Sequence, residues 1–241
     1  MKIVKELFLY IKQPVYTGES LSPKLKHIKD LSVLFLLSYL VKIIWVLTVS
    51  KWIKENFEIS RNTITNGQNS ANGMLEFFLT AVIFAPLIEE LIFRYFLKGK
   101  KIIIFLLAGF ALSALTFWMV KQFSFTDLHL KRIVLVISLL LPLAAALYFY
   151  YGYRESSALN SIFVRYFPFS YYTSVFVFGL VHLPNFSGTS NYLLFLPLII
   201  PQLLSGFIYG FARMKYGMWA NIMLHASSNM VTFVLDAVLK I

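Results

Sequence analysis

Residues 81–97 read AVIFAPLIEELIFRYFL, an apolar run holding two adjacent carboxylates, Glu89 and Glu90, with Arg94 one helical turn further on. A charge in the bilayer interior costs at least about 2.5–3.5 kcal/mol by insertion scales. Three of them in one membrane-length segment imply a compensating gain. Two later apolar stretches carry His182 and His225, so the polar groups read as parts of one buried site.

Composition points the same way. Of the 241 residues, 59% are hydrophobic and only 14% charged, where a soluble domain has about a quarter charged. The expected fold class is all-α: a polytopic membrane helical bundle of about seven transmembrane helices with an N-terminal interfacial helix. It is read as a single membrane domain over 1–241. The net charge of +11 does not imply a nucleic-acid partner, because Lys and Arg fall in short segments between apolar runs, where they set orientation. The absence of cysteine excludes disulfides, a thiol nucleophile and thiolate metal sites. No cleavable signal is expected, since the first apolar run begins near Leu31 behind a basic leader.

Within that leader, residues 1–30, Ile3, Val4, Leu7, Phe8 and Ile11 share one helical face among Lys2, Lys5 and Lys12. This suits a helix on an anionic membrane surface or, equally, a flexible basic tail. The spans expected from hydropathy are Leu31–Val49, Met74–Leu97, Ile102–Val120, Ile133–Tyr151, Tyr171–Leu183, Tyr192–Ala212 and Met218–Leu239. The fifth is short and stops at Pro184. The polar loop SRNTITNGQNSANG, 60–73, reads as a solvated connector, and 156–169 as interfacial. Lys and Arg, with Arg213 and Lys215 counted in an inside loop, favour a cytoplasmic N-terminus by about two to one. An integral protein of a bacterial plasma membrane is expected.

In that topology Glu89, His182 and His225 all lie roughly 10–17 Å below the cytoplasmic end of their spans, at 1.5 Å per residue. Glu90 and Arg94 are i,i+4 and pair on one face, while Glu89 points about 100° away. Phe178 and His182 are i,i+4, as are His225 and Asn229. Each piece also has a structural reading: an ion pair for Glu90–Arg94, interhelical hydrogen bonds for the histidines, packing for Asn229. Glu89, with no intrahelical cation of its own, is least easily explained that way.

Together these residues carry a resemblance. Glu89-Glu90-Leu91-Ile92-Phe93-Arg94 fits EExxxR, Phe178–His182 fits FxxxH and His225–Asn229 fits HxxxN. In this order on separate apolar segments, from about Met74 to Leu239, they resemble the CAAX protease and bacteriocin-processing (CPBP, or Abi) family of intramembrane proteases. Members are expected to hold EExxxR and FxxxH near one another in sequence. Here roughly ninety residues intervene, which leaves room for a two-helix insertion at 102–151 in a protease-like core over 74–239. An even number of inserted spans preserves the direction of the next helix.

The resemblance implies that Glu89, helped by His182, activates water, and that His225 and Asn229 stabilise the oxyanion. Glu90 and Arg94 would orient the base helix, with Phe178 packing beside His182. It also allows a zinc cofactor on Glu89, His182 and His225, without choosing between zinc-bound and metal-free water. The implied partners are membrane lipid and a peptide or protein substrate, possibly lipidated: CAAX-type, a matured bacteriocin or peptide, or an immunity target. Serine and aspartyl chemistries fit less well. Ser205-Gly206 and Ser187-Gly188 lack the GxSG context, and of Asp30, Asp127 and Asp236 only the last lies in a span. No His is followed by Glu, so HExxH is absent. A proton-coupled transporter or channel remains the alternative, although no internal repeat supports it. A non-catalytic scaffold of the same fold is the third reading.

Overall fold

The computed structural model describes residues 2–18, 20–21, 27–61, 71–99, 102–122, 128–188 and 191–239. The middle of the polar connector, 62–70, lies outside them. The protein is an all-α membrane helical bundle. Among the described residues, three helical stretches are long and apolar enough to cross a bilayer: Ile28–Phe57, His129–Tyr153 and Leu193–Tyr216.

The chain forms two compact units, Met1–Lys98 with Tyr166–Ile241, and Gly99–Arg165. The second contains α6 (Ile102–Gln122), α7 (Leu128–Tyr153) and α8 (Ser157–Arg165). The helices α6 and α7 pack closely through small and hydroxylated residues. A Cβ at Gly109 would lie 2.7 Å from that of Ala146. Ser113 and Thr116 donate to the Leu139 and Ser138 carbonyls at 2.7 and 2.6 Å. With no hydrophobic drive between helices in lipid, close approach and hydrogen bonds hold such a pair.

The first unit carries the motifs. Its N-terminal helix α1 (Lys2–Lys12) buries Ile3 and Leu7 in a cluster with Leu34, Tyr209, Phe211 and Tyr216. Phe8, at the edge of that face, and Leu9 stay exposed. Lys215 pairs with Glu6, and the Tyr172 hydroxyl donates to the Ile11 carbonyl at 2.8 Å. Of the apolar face expected to meet lipid, Ile3, Val4, Leu7 and Ile11 therefore meet the bundle. Next come α2 (Ile28–Trp45), a π-helical turn at Val46–Ser50 and α3 (Lys51–Phe57), in one continuous run. The two-residue strand β1 (Ser60–Arg61) pairs antiparallel with β2 (Phe186–Ser187). This ties the loop after α3 to the loop that follows the helix Phe167–Leu180. Gly188 allows the approach: its φ is +112°, and a Cβ there would lie 2.4 Å from the Glu58 carbonyl oxygen.

The segment holding the charges is not one regular helix. α4 (Ala71–Phe78) passes through a π-helical stretch, Leu79–Phe84, into α5 (Ala85–Arg94) and a short 3-10 turn at Tyr95–Lys98. α9 (Phe167–Leu180) is only 14 residues long, about 21 Å at 1.5 Å per residue. It starts at Phe167-Pro168, four residues before the expected start, and Pro184 keeps it from continuing. α10 (Ile200–Tyr216) and α11 (Met218–Leu239) complete the unit, separated by Gly217 at φ +94°.

The close contact of α9 with α10 depends on Gly210. A Cβ there would sit 2.7 Å from Cε2 of Tyr171, a fully buried ring whose hydroxyl donates to the Phe207 carbonyl at 2.8 Å. Gly210→Ala is expected to cost about 1–3 kcal/mol through overpacking, measured as a lower midpoint of thermal unfolding in detergent.

Candidate active site

The Glu90 carboxylate is the hub that joins two helices, α5 and α11. It and Arg94 are fully buried, with Arg94 Nη1 donating to Glu90 Oε1 at 3.1 Å. From α11, His225 Nδ1 lies 2.8 Å from the same oxygen, and the Asn221 amide donates to Glu90 Oε2. An ionised carboxylate removed from water must recover its hydrogen bonds from protein. Glu90 accepts one from each of three side chains. His225 is thus held by Glu90, a link that the spacing of EExxxR alone does not reveal.

Glu89, the next residue, turns away from this hub. Its Oε2 is buried and receives no hydrogen bond from protein. It lies 3.8 Å from His225 Nε2 and 4.0 Å from His182 Nε2. The structure therefore brings Glu89, His182 and His225 together, although about ninety residues separate the first two. The tautomers follow from the partners. His225 Nδ1 faces a carboxylate, and His182 Nδ1 lies 2.7 Å from the Phe178 carbonyl oxygen. Both partners only accept, so both Nδ1 atoms carry hydrogen, and in neutral imidazoles both Nε2 atoms present lone pairs. Three acceptors converge on one point. A water could donate to two of them at a time, and a cation could face all three.

Zinc fits this set by ligand type but not by spacing. Ligands of tetrahedral zinc with bonds of ~2.0–2.1 Å stand roughly 3.4 Å apart, closer than the 3.8 and 4.0 Å found. Among the described residues no trio of His, Cys, Asp or Glu is placed to hold a metal ion.

Phe178 forms the wall behind these groups. The Arg94 guanidinium lies 3.9 Å from its ring centroid. His182 and His225 meet it edge-on, at 5.0 and 5.7 Å between centroids. It therefore does more than pack beside His182. His182 itself sits just beyond the end of α9, in a turn whose dihedrals (φ −91°, ψ −5°) preserve the i,i+4 contact. Its imidazole caps the Phe178 carbonyl, one of those that a helix C-terminus leaves unpaired.

Asn229 has a local task set by Pro86. In the π-helical stretch the Ala85 N–H bonds to Thr80 O, five residues back. The same register would pair the Ala81 carbonyl with the nitrogen of Pro86, which has no hydrogen. Asn229 Nδ2 donates to Ala81 O at 2.8 Å instead. One amide N–H of Asn229 thus holds the approach to the Glu89 helix, and its second N–H has no partner among the described residues. At the other end of α5, Ser174 Oγ donates to Phe93 O at 2.6 Å, and Arg213 Nε and Nη2 donate to Arg94 O and Tyr95 O at 3.1 and 3.3 Å. Arg213, counted from sequence as an inside-loop cation, is buried here. Its charge sits where the macrodipole of α5 is negative.

Contributors outside the motifs are Asn221, Tyr209, Ser228 and Lys42. Asn221, His225 and Asn229 fall at i, i+4, i+8, a polar stripe readable in the sequence. The Tyr209 ring stacks on His225, 4.9 Å between centroids and 23° between planes. Lys42 Nζ lies 2.7 Å from Ser228 Oγ and 3.4 Å from the Tyr209 hydroxyl. As a charge inside an apolar span, it carries the same sequence signal as Glu89.

The family model for type II CAAX prenyl endopeptidases, Rce1-like, matches residues 71–231. That is two thirds of the chain, and it includes every motif residue. The chain belongs to the Rce1-like family. No curated protein and no solved structure matches it. Membership makes it an integral membrane protein of a protease family, in keeping with its apolar helices. In this Rce1-like chain the matched span also takes in the Gly99–Arg165 unit.

Proposed function

We propose that this protein is an intramembrane endopeptidase that hydrolyses a peptide bond of a CAAX-type, prenylated substrate near the cytoplasmic leaflet, using a glutamate-activated water. The observation that carries the reading is the convergence of Glu89 Oε2 and two imidazole Nε2 atoms on one point, without a protein donor between them. Water held there donates to Glu89 and to an imidazole. Glu89 removes one proton as the water oxygen bonds to the scissile carbonyl carbon. The carbonyl becomes an oxyanion, to which we assign the second N–H of Asn229. Collapse of the tetrahedral intermediate breaks the C–N bond, and the Glu89 proton passes to the leaving amine. Glu90, Arg94, Asn221 and Phe178 hold His225, and no step is routed through zinc. The spacing and the absence of an internal repeat favour this reading over proton-coupled transport or a passive scaffold.

The test is cleavage of a prenylated peptide by the purified protein in nanodiscs. His182→Ala and His225→Ala are each expected to lower kcat/KM about 10²–10³-fold with expression retained. Unchanged turnover in either would remove that residue from the mechanism. Activity is expected to persist after chelation in protein whose metal content has been measured. Loss on chelation with recovery on zinc would replace glutamate-type activation by a metal-bound water.

A further inference from the structure

Lys42 lies 14 residues into the 30-residue helical stretch Ile28–Phe57, close to its midpoint. A lysine at that depth is expensive to insert. Buried charges are ordinarily paired, yet Lys42 has no carboxylate within 4 Å among the described residues. Its partners are two neutral hydroxyls, Ser228 at 2.7 Å and Tyr209 at 3.4 Å. An ammonium has three donors, so one N–H remains unused. Both hydroxyls belong to the architecture of His225: Ser228 follows it by three residues on α11, and the Tyr209 ring stacks on its imidazole. An unneutralised cation is therefore fixed at the edge of the candidate active site.

We infer that Lys42 is the receptor for the C-terminal carboxylate of the substrate. The inference rests on the protease reading above. Lys42 Nζ lies 5.8 Å from the Tyr209 ring centroid, which is 4.9 Å from that of His225. Nζ is thus no more than roughly 11 Å from the imidazole, a separation that three extended residues can span. Three residues is the length that a CAAX terminus leaves beyond its cysteine. A lipid phosphate is the other common anion in a membrane, but headgroups lie about 15 Å from the bilayer centre. A peptide terminus drawn into the active site brings its charge to mid-depth.

The experiment compares one peptide, prenylated on a cysteine four residues from its end, prepared as the free acid and as the C-terminal amide. The wild-type protein is expected to favour the acid about ten- to hundredfold in kcat/KM, chiefly through KM, the value of one charge-assisted hydrogen bond. In Lys42→Met the acid and amide are expected to converge, and in Lys42→Arg the preference is retained. Equal cleavage of both by wild type, or an undiminished acid preference in Lys42→Met, overturns the inference while leaving the protease standing. Binding of the two peptides to Glu89→Gln protein gives a readout independent of turnover. Tighter binding of the acid, lost on adding Lys42→Met, supports the receptor role, and equal binding overturns it.

Discussion

Glu89→Gln is expected to abolish peptide cleavage, lowering kcat about 10³–10⁴-fold, in a protein that folds and expresses as wild type. The amide is nearly isosteric with the carboxylate but cannot take a proton from water, so the loss falls on the chemical step. Folding is spared because Glu89 Oε2 accepts no hydrogen bond from protein. KM is expected to move little. The measurement is steady-state cleavage of the prenylated peptide beside thermal unfolding of the same preparations. The substitution also separates the three functional readings. A proton-coupled transporter would lose the pH dependence of its flux, and a scaffold would be indifferent. Glu89→Gln protein that cleaves at the wild-type rate would defeat the hydrolase reading.

Glu90→Ala is expected to have the largest effect on stability. It strands the Arg94 guanidinium, fully buried and left with the faces of Phe178 and Phe93 in place of a carboxylate. It also strips His225 Nδ1 and the Asn221 amide of their acceptor. Breaking a buried ion pair from one side costs about 3–5 kcal/mol. The variant should lose monodispersity in detergent and unfold at a markedly lower temperature. Glu90→Leu with Arg94→Met should recover much of that loss, since no buried charge is left unpaired. Cleavage should not return, because His225 has lost the acceptor that sets its tautomer. A double variant that regained both properties would show that Glu90 acts on stability alone.

The contrast between neighbouring glutamates shows how far the sequence reaches. Glu89 and Glu90 are chemically identical, and helical periodicity separates them by about 100°. That was enough to pair Glu90 with Arg94 and to leave Glu89 without an intrahelical cation, while its role as base was implied by the resemblance. Periodicity acts only within one helix, however. It paired His225 with Asn229, whereas the tertiary contact of His225 Nδ1 is Glu90, 135 positions earlier. Asn229 shows the same limit: its partner, the Ala81 carbonyl, is free only because Pro86 interrupts a π-helical register. A proline is visible in a sequence, but the register on which its missing N–H falls is not.

The sequence by itself determined that this is an α-helical membrane protein with charges concentrated in a few spans. Insertion energetics act residue by residue, and helical pairs three or four apart need no other partner. It also held the three motifs of the family. Only the tertiary structure decided which acceptor His225 bonds, hence which of its nitrogens faces Glu89. It likewise turned Arg213 from a loop cation into a cap on α5 and set Lys42 beside Tyr209 and Ser228. Those outcomes depend on helix packing between residues more than a hundred positions apart, where no local period constrains the partner.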